Sequence, residues 1–238
     1  MKKIISVLAA LSIICGIGAS TYTPFVSADT VSAAEVGKTD TYDLENSSNL
    51  IGTVDKDGMV FDVYKNDTEL YAVLTSVKDE SLTEFTVPSV LLPELPSEPS
   101  DEECEKVDLT VTVTGSGFID TASVSEQIKK SNPKVVGIAD GAFKNCKELG
   151  KINLSKNIAV LNWDGIAEYF IAEITVDEEN KNFTAADGIL YSKDMKILIG
   201  CPPAIAQTEI KVSDKTEEIG QAAFVCCKDI KKSSCPTA

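Results

Sequence analysis

Carboxylates and thiols are the reactive side chains of this sequence, which has 37 aspartates and glutamates and seven cysteines but no histidine. All 22 basic residues are lysines, since no arginine occurs. This composition excludes nucleophiles activated by histidine, histidine metal sites and arginine fingers. The formal net charge of −15 also leaves no basic stripe for phosphates, so no nucleic-acid partner is expected.

Carboxylates alone can hydrolyse a glycoside when a cleft holds two of them about 5–9.5 Å apart and raises the pKa of one. The acids here occur in runs typical of solvated loops, such as Asp101–Glu103 and Asp177–Glu179. We therefore predict no catalytic residue and no enzyme, with a carboxylate-based hydrolase as the remote alternative. Residues 55–58 (Asp-Lys-Asp-Gly) resemble only part of a calcium loop, so no metal and no cofactor is predicted.

The first 28 residues have the pattern of a secretory signal peptide. Two lysines precede an apolar run at residues 4–19, which is short for a membrane span, and Val26-Ser27-Ala28 offers a cleavage site. We predict cleavage near Ala28 and a protein that is secreted or at the cell surface. A flexible lead-in is predicted over residues 29–50, and no membrane span is expected in the mature chain.

Two β-rich runs follow the lead-in. Met59–Tyr64 and Leu70–Leu74 flank the turn-forming residues 65–69 and predict a hairpin. Leu82–Pro88 alternates as a strand that proline ends. Residues 51–90 are assigned to this N-terminal hairpin unit together with the first repeat strand.

The next block is acidic and rich in proline. Residues 91–106 are predicted to be a linker or solvated loop without a helix. Val107–Thr114 alternates as a short strand, and Ser123–Lys130 predicts a short helix that Asn132-Pro133 ends. Residues 91–134 are therefore predicted to be an insertion.

A repeated motif carries most of the information. Residues 138–149 and 219–230 share the pattern I-x-x-x-A-F-x-x-C-K-[ED]-[LI] at a spacing of 81 residues. Short apolar strands recur at spacings of 22 and 36, and the longer spacing contains an extra hairpin at residues 188–203. A unit of about 20–29 residues with one strand and one turn is typical of leucine-rich repeats. The strands are Ile152–Leu154, Ile174–Val176 and Ile210–Val212.

This period predicts a β-rich α/β solenoid, a right-handed leucine-rich-repeat array with short strands and short helical turns behind the β-hairpin unit. Each unit stacks its apolar residues on the next, so that the core is continuous. The predicted structural repeat core consists of Ile138, Ala142, Phe143, Cys146, Leu149, Ile152, Leu154, Ile174, Val176, Ile210, Val212, Ile219, Ala223, Phe224 and Cys227.

The A-F-x-x-C turn, the strand after it and the D-G-I-L-Y…L-I-G-C-P-P hairpin resemble the BspA-type leucine-rich repeats of bacterial surface proteins. The resemblance assigns residues 135–238 to such repeats and implies adhesion or protein contact outside the cell. The middle unit departs from the pattern, with Gly165 in place of phenylalanine and Glu168 in place of cysteine. The last repeat is incomplete, which predicts an array that is truncated after Ala238 or frayed there.

The predicted function is recognition. The chain is expected to be an exported, non-catalytic adhesion module that binds protein or glycan partners of unknown identity through the repeat surface. The alternative is a structural spacer or a truncated fragment of a larger secreted multidomain protein. Between the inward residues the strands present a polar face, where solenoids usually bind partners. The candidate binding face consists of Lys151, Asn153, Ser155, Glu173, Thr175, Asp177, Glu209, Lys211 and Ser213.

Removal of the signal peptide leaves six cysteines, an even number that permits disulfides in an exported chain. Cys146 and Cys227 share one repeat position and are predicted to be small buried apolar side chains. A bond between these two is disfavoured, because the intervening units hold them apart. The sequence leaves open any pairing among Cys104, Cys201, Cys226 and Cys235.

Overall fold

The computed structural model describes Tyr42, residues 49–113 and residues 120–234. The predicted signal peptide, most of the lead-in and Cys235 lie outside the described residues. The described part is rich in strands and has three short helices, none long and apolar enough to cross a membrane. The strands are β1 Leu50–Lys56, β2 Met59–Lys65, β3 Leu70–Val77, β4 Glu84–Thr86, β5 Thr110–Thr112, β6 Lys134–Ile138, β7 Lys151–Leu154, β8 Val160–Leu161, β9 Glu173–Val176, β10 Phe183–Ala186, β11 Ile189–Ser192, β12 Ile197–Gly200, β13 Glu209–Lys211, β14 Glu218–Ile219 and β15 Lys232–Ser234. The helices are α1 Asp101–Glu105, α2 Thr121–Ser131 and α3 Trp163–Ala167.

The largest sheet has six strands in the order β5-β1-β2-β3-β6-β8. The predicted hairpin is confirmed, since β2 and β3 pair antiparallel. β1 adds a third antiparallel strand through a turn at Asp57 and Gly58, whose φ angles of 53° and 78° suit a two-residue hairpin turn. β6 then pairs parallel with β3, which places the first repeat motif directly beside the hairpin.

A second sheet, in the order β10-β11-β12-β14, repeats the arrangement β1-β2-β3-β6. Its first turn is again Asp-Gly, at Asp187 and Gly188, with φ angles of 52° and 78°. Local sequence patterns predict each hairpin but do not relate the two. We name β1-β2-β3-β6 with the turn at 139–149 the first module, and β10-β11-β12-β14 with the turn at 220–230 the second module.

The two modules even share a β-bulge. In the first module the pairing register shifts between Val60 and Phe61 of β2. In the second it shifts between Leu190 and Tyr191 of β11. These positions lie equally far from the Asp-Gly turn in each module. The two modules therefore repeat one backbone arrangement.

The turn of each module docks on its own hairpin through the same backbone hydrogen bond. The Ala142 carbonyl accepts the Val77 N–H at 2.9 Å in the first module. The Ala223 carbonyl accepts the Cys201 N–H at 2.7 Å in the second. The repeated sequence motif therefore folds twice into the same local structure, and Cys201 stands where the first module has Val77.

The repeat strands form two separate parallel sheets. In β4-β7-β9, the inward residues Phe85, Ile152 and Ile174 lie in register. The prediction that the stack continues to the strand at Ile210 is wrong, because β13 pairs with β15. The physical reason is the second module, whose strands pair with one another in the order β10-β11-β12-β14 and interrupt the succession of repeat strands along the chain.

The segment predicted as a helix-free linker contains α1, so that prediction is wrong. Ser100 caps α1 reciprocally with Glu103, whose N–H donates to the Ser100 hydroxyl while its carboxylate accepts the Ser100 N–H at 2.8 Å. This capping box satisfies the open N–H groups of the first turn. The prolines lie before the helix, where they do not interrupt it. Leu91, Leu92 and Leu95 in this segment are buried.

The predicted helix at Ser123–Lys130 is confirmed as α2, and it ends where predicted. Asn132 takes a left-handed conformation, with φ of 41°, and caps the helix. Its buried amide also accepts the Leu92 N–H at 2.9 Å and donates to the Leu92 and Leu95 carbonyls at 2.9 and 3.3 Å. One side chain thus fixes both the helix end and the proline-rich segment.

In the middle unit the helix α3 replaces the phenylalanine-containing turn. Trp163 is buried to 1% exposure, with Ile166 and Ala167 also in the core. Gly165, predicted to disturb this unit, lies so close to Asp140 that an added Cβ would come within 2.7 Å of that carboxylate. The indole of Trp163 is among the largest fully buried side chains of the described residues.

Candidate functional site

The sheet β4-β7-β9 presents a polar face because its residues alternate in direction. Ile152 and Leu154 point into the core, while Lys151 and Asn153, which alternate with them, are partly exposed. Strand β4 adds Glu84 and Thr86 to this face. Neither residue was predicted for the binding face, although their alternation with Phe85 was the available signal. The polar face consists of Glu84, Thr86, Lys151, Asn153, Glu173 and Thr175.

A ladder of side-chain contacts connects the three strands across this polar face. Lys151 Nζ lies 3.4 Å from a Glu84 carboxylate oxygen and 3.3 Å from one of Glu173. The Asn153 amide donates to Glu84 Oε1 at 2.8 Å and to Thr86 Oγ1 at 3.0 Å. Thr175 donates its hydroxyl to Asn153 Oδ1. The face is therefore ordered before any partner arrives.

These contacts shift the pKa values of the charged groups on the face. The hydrogen bond from Asn153, aided by the Lys151 charge, lowers the pKa of Glu84. The hydrogen bond to Glu173, with the charges of Glu173 and Glu84, raises the pKa of Lys151. One ammonium group therefore stays charged between two carboxylates, with an amide and two hydroxyls beside them.

The other five predicted binding-face residues lie outside this polar face. Ser155 is buried to 8% exposure, and its hydroxyl donates to the Pro88 carbonyl at 3.2 Å, so its assignment to the outward face is wrong. Asp177 follows β9 and caps a local turn, where it accepts the Glu179 N–H at 2.8 Å. The remaining three lie in or just after β13, in the separate two-stranded sheet: Glu209, Lys211 and Ser213.

A cleft of about 540 Å³ opens beside the polar face. It is lined by residues 172–176, by Asp187 and Gly188 of the second Asp-Gly turn, and by the loop at 205–207. Glu173 and Thr175 belong to both the polar face and the cleft. The cleft lies where the stack of repeat strands is divided, and no local sequence pattern indicates that division.

The residues of the predicted repeat core differ in burial. The half-buried members are Val176, Ile219, Phe224 and Cys227. The buried members are Ile138, Ala142, Phe143, Cys146, Leu149, Ile152, Leu154, Ile174, Ile210, Val212 and Ala223.

The five described cysteines are free thiols in this structure. Cys146 is buried, donates its thiol to the Asp79 carbonyl at 3.4 Å, and has its pKa raised by burial. Cys104 and Cys201 are also buried, whereas Cys226 is exposed. No cluster of three metal-binding side chains occurs among the residues that the structure describes.

Four carboxyl groups of the described residues have a shifted pKa. A general acid needs a raised pKa. The four carboxyl groups with shifted values all have lowered pKa values, mainly because hydroxyl, amide or backbone N–H groups donate to them: Asp79, Glu84, Glu103 and Asp194.

No family model and no curated protein matches the chain. Among solved structures, it is similar to a leucine-rich repeat protein from Eubacterium ventriosum, with 27% identity over 42% of this chain and 26% of that chain, at a TM-score of 0.37. It thus spans about a quarter of that protein. It is also similar to the pneumococcal vaccine antigen PcpA, with 12% identity over 79% of this chain and 65% of that one, at a TM-score of 0.27. A third similar structure is a leucine rich cell surface protein from Faecalibacterium prausnitzii, with 14% identity, 79% and 77% coverage and a TM-score of 0.29.

Proposed function

We propose that this chain is an exported, non-catalytic recognition module that binds an extended segment of a partner protein in the cleft beside β9. The right-handed leucine-rich-repeat solenoid and the secreted or cell-surface location belong to the same proposal. The resemblance to BspA-type repeats and the signal-peptide pattern support it. The observation that carries it is an open strand edge in a cleft that adjoins an ordered polar face.

The edge of β9 offers backbone groups to a partner. On its paired edge, the Glu173 N–H donates to the Gly150 carbonyl at 3.1 Å and the Asp177 N–H to the Leu154 carbonyl at 2.9 Å. Because hydrogen-bonding direction alternates along a strand, the Ile174 and Val176 N–H groups point to the opposite edge. Within the described residues no strand pairs with that edge. An added strand would satisfy both groups.

The negative charge of the cleft favours a basic partner segment. Glu173 and Asp187 line the cleft, and the whole chain carries a formal charge of −15. A segment with lysine or arginine at alternate positions would place its charges near these carboxylates, while its backbone pairs with β9. The polar face then provides further contacts along one side of the partner.

The test uses the full chain and a synthetic octapeptide of alternating lysine and valine, with an octapeptide of alternating glutamate and valine as the control. Backbone amide NMR signals of Ile174 and Val176 should shift on addition of the lysine peptide only. Val176→Pro should abolish the response, because proline removes one outward N–H while leaving the bonds to β7. The matched variant Val176→Ala keeps that N–H and should keep the response.

Equal responses to both peptides, or an unchanged response in Val176→Pro, would contradict strand addition at β9. Absence of binding by the lysine peptide and by purified matrix and cell-surface proteins would favour the alternative of a structural spacer.

A further inference from the structure

Two cysteine side chains of the second module meet at one backbone oxygen. Cys227 Sγ lies 3.8 Å from the Pro202 carbonyl oxygen, and Cys201 Sγ lies 3.9 Å from the same atom. Cys227 Sγ is also 3.3 Å from the carbonyl oxygen of Cys201 itself. The backbone holds this arrangement, because the Cys201 N–H donates to the Ala223 carbonyl in the turn that carries Cys227.

The first module shows what this position does without a second thiol. There Cys146 is the equivalent of Cys227, and its sulfur lies 3.9 Å from the carbonyl of Val77. Val77 is the equivalent of Cys201, as the matching turn hydrogen bonds establish. The second module therefore keeps the sulfur–carbonyl contact of the first but replaces its valine with a thiol beside the repeat cysteine.

We propose that Cys201 and Cys227 form an intramolecular disulfide bond, which joins the end of the β11–β12 hairpin to the last repeat turn. This bond lies outside the cleft at β9 and is independent of the proposed binding function. The sequence left the partner of Cys201 open among Cys104, Cys226 and Cys235. In this proposal the partner is Cys227 instead.

The surroundings of the two thiols determine which of them reacts first. Hydrogen bonding to Cys227, together with burial, raises the pKa of Cys201. Donation from the Cys201 thiol lowers the pKa of Cys227. Cys227 is also the less buried of the two. Since the thiolate is the nucleophile in thiol–disulfide exchange, Cys227 reacts first.

The oxidant is a small or protein disulfide, such as oxidised glutathione. The Cys227 thiol loses its proton to water, and its thiolate attacks one glutathione sulfur, which forms a mixed disulfide and releases one glutathione thiolate. The Cys201 thiol then loses its proton, and its thiolate attacks Cys227 Sγ and releases the second glutathione thiolate. Two protein thiols are oxidised by two electrons, one glutathione disulfide is reduced, and the two protons are balanced by the two thiols formed.

The test is peptide mapping of the folded full chain after incubation with oxidised glutathione. Remaining thiols are blocked with N-ethylmaleimide in acidic denaturant, and the chain is cut after lysine. The expected product links the peptide 197–211, which contains Cys201, to the peptide 216–228, which contains Cys226 and Cys227. Cys146, whose neighbour is Val77, should carry the blocking group and serves as the internal control.

Variants identify the partner within the adjacent pair. The linked peptide should persist in Cys226→Ser and disappear in Cys227→Ser and in Cys201→Val, which installs the residue of the first module. The oxidised wild-type chain should also melt at a higher temperature than the reduced chain, with no such shift in Cys201→Val. A link from Cys201 to Cys226 or Cys235, or blocked Cys201 and Cys227 in the oxidised wild-type chain, would overturn the proposal.

Discussion

The first and second modules share the same strand pairing, but their equivalent side chains are buried to different extents. Phe143 is 1% exposed and packs edge-on against Phe85 and Tyr169, with ring centroids 5.4 and 6.4 Å away. Phe224, at the equivalent position, is only half-buried at the side of a smaller cluster. The comparison shows that the local motif determines the turn, whereas neighbouring elements determine how much the turn contributes to stability.

The largest expected difference between the modules concerns these two rings. Phe143→Ala should lower the free energy of unfolding by about 3–5 kcal/mol, because it removes a fully enclosed aromatic side chain. Phe224→Ala should cost about 1–2 kcal/mol, since the ring is already half in water. Urea denaturation of both variants beside the unmodified chain measures the two losses. Equal losses would mean that the modules are equally packed, contrary to the burial difference.

The next difference lies in the bulged strand pair. Ser76 pairs with Val60 in the first module, and Gly200 pairs with Leu190 in the second. Gly200→Ser installs the residue of the first module, but its Cβ would lie 2.0 Å from the Trp163 ring. We expect a loss of about 1–3 kcal/mol from this overpacking.

Two controls test whether the indole causes that loss. In a Trp163→Leu background, Gly200→Ser should cost less than in the unmodified chain, as a double-mutant cycle would measure. Gly150→Ala should have little effect, because the nearest atom to its added Cβ is the Thr83 carbonyl oxygen at 3.7 Å. An unchanged cost in the Trp163→Leu background would show that the indole is not responsible.

A smaller difference lies in the backbone of the two turns. Gly141 and Ala222 occupy the same position and both have positive φ, 73° and 58°. An L residue with a side chain is strained there by about 1–2 kcal/mol. Gly141→Ala should therefore destabilise the chain by about 1 kcal/mol, since no atom lies within 4 Å of the added Cβ to cause a clash. Ala222→Gly should stabilise it by up to about 1 kcal/mol, and thermal unfolding of both variants tests these opposite signs.

The modules also explain which parts of the fold could be predicted from the sequence. The hairpin, the repeated turn and α2 follow from patterns within about 20 residues, so they were predictable. The burial of Leu92 depends on the Asn132 amide, which lies 40 residues further along the chain. No local pattern contains that contact, and the acidic prolines around it suggested the opposite environment.

The candidate site, too, could be predicted from the sequence only in part. Alternation along β7 predicts that Lys151 and Asn153 face outward, and both are partly exposed in the structure. The cleft depends on which strands pair, because β13 joins β15 and leaves the outer edge of β9 open. Pairing partners are a property of the whole fold, so the sequence did not reveal the cleft or the meeting of Cys201 with Cys227.

The smallest expected effect concerns Asn153, whose equivalent in the repeat register is Ser234 of β15. Asn153→Ser should raise the pKa of Glu84 towards its ordinary value, because the donor that chiefly stabilises the carboxylate is lost. Since folding lowers this pKa, the contribution of Glu84 to stability is present above its ordinary pKa of about 4.5 and is lost as the pH falls through the lowered value. NMR titration of the Glu84 carboxyl carbon in both chains measures the change. Lys151→Met should also raise the pKa of Glu84, because it removes both a positive charge and a second donor. An unchanged pKa in Asn153→Ser would mean that the lysine, rather than the amide, holds the carboxylate.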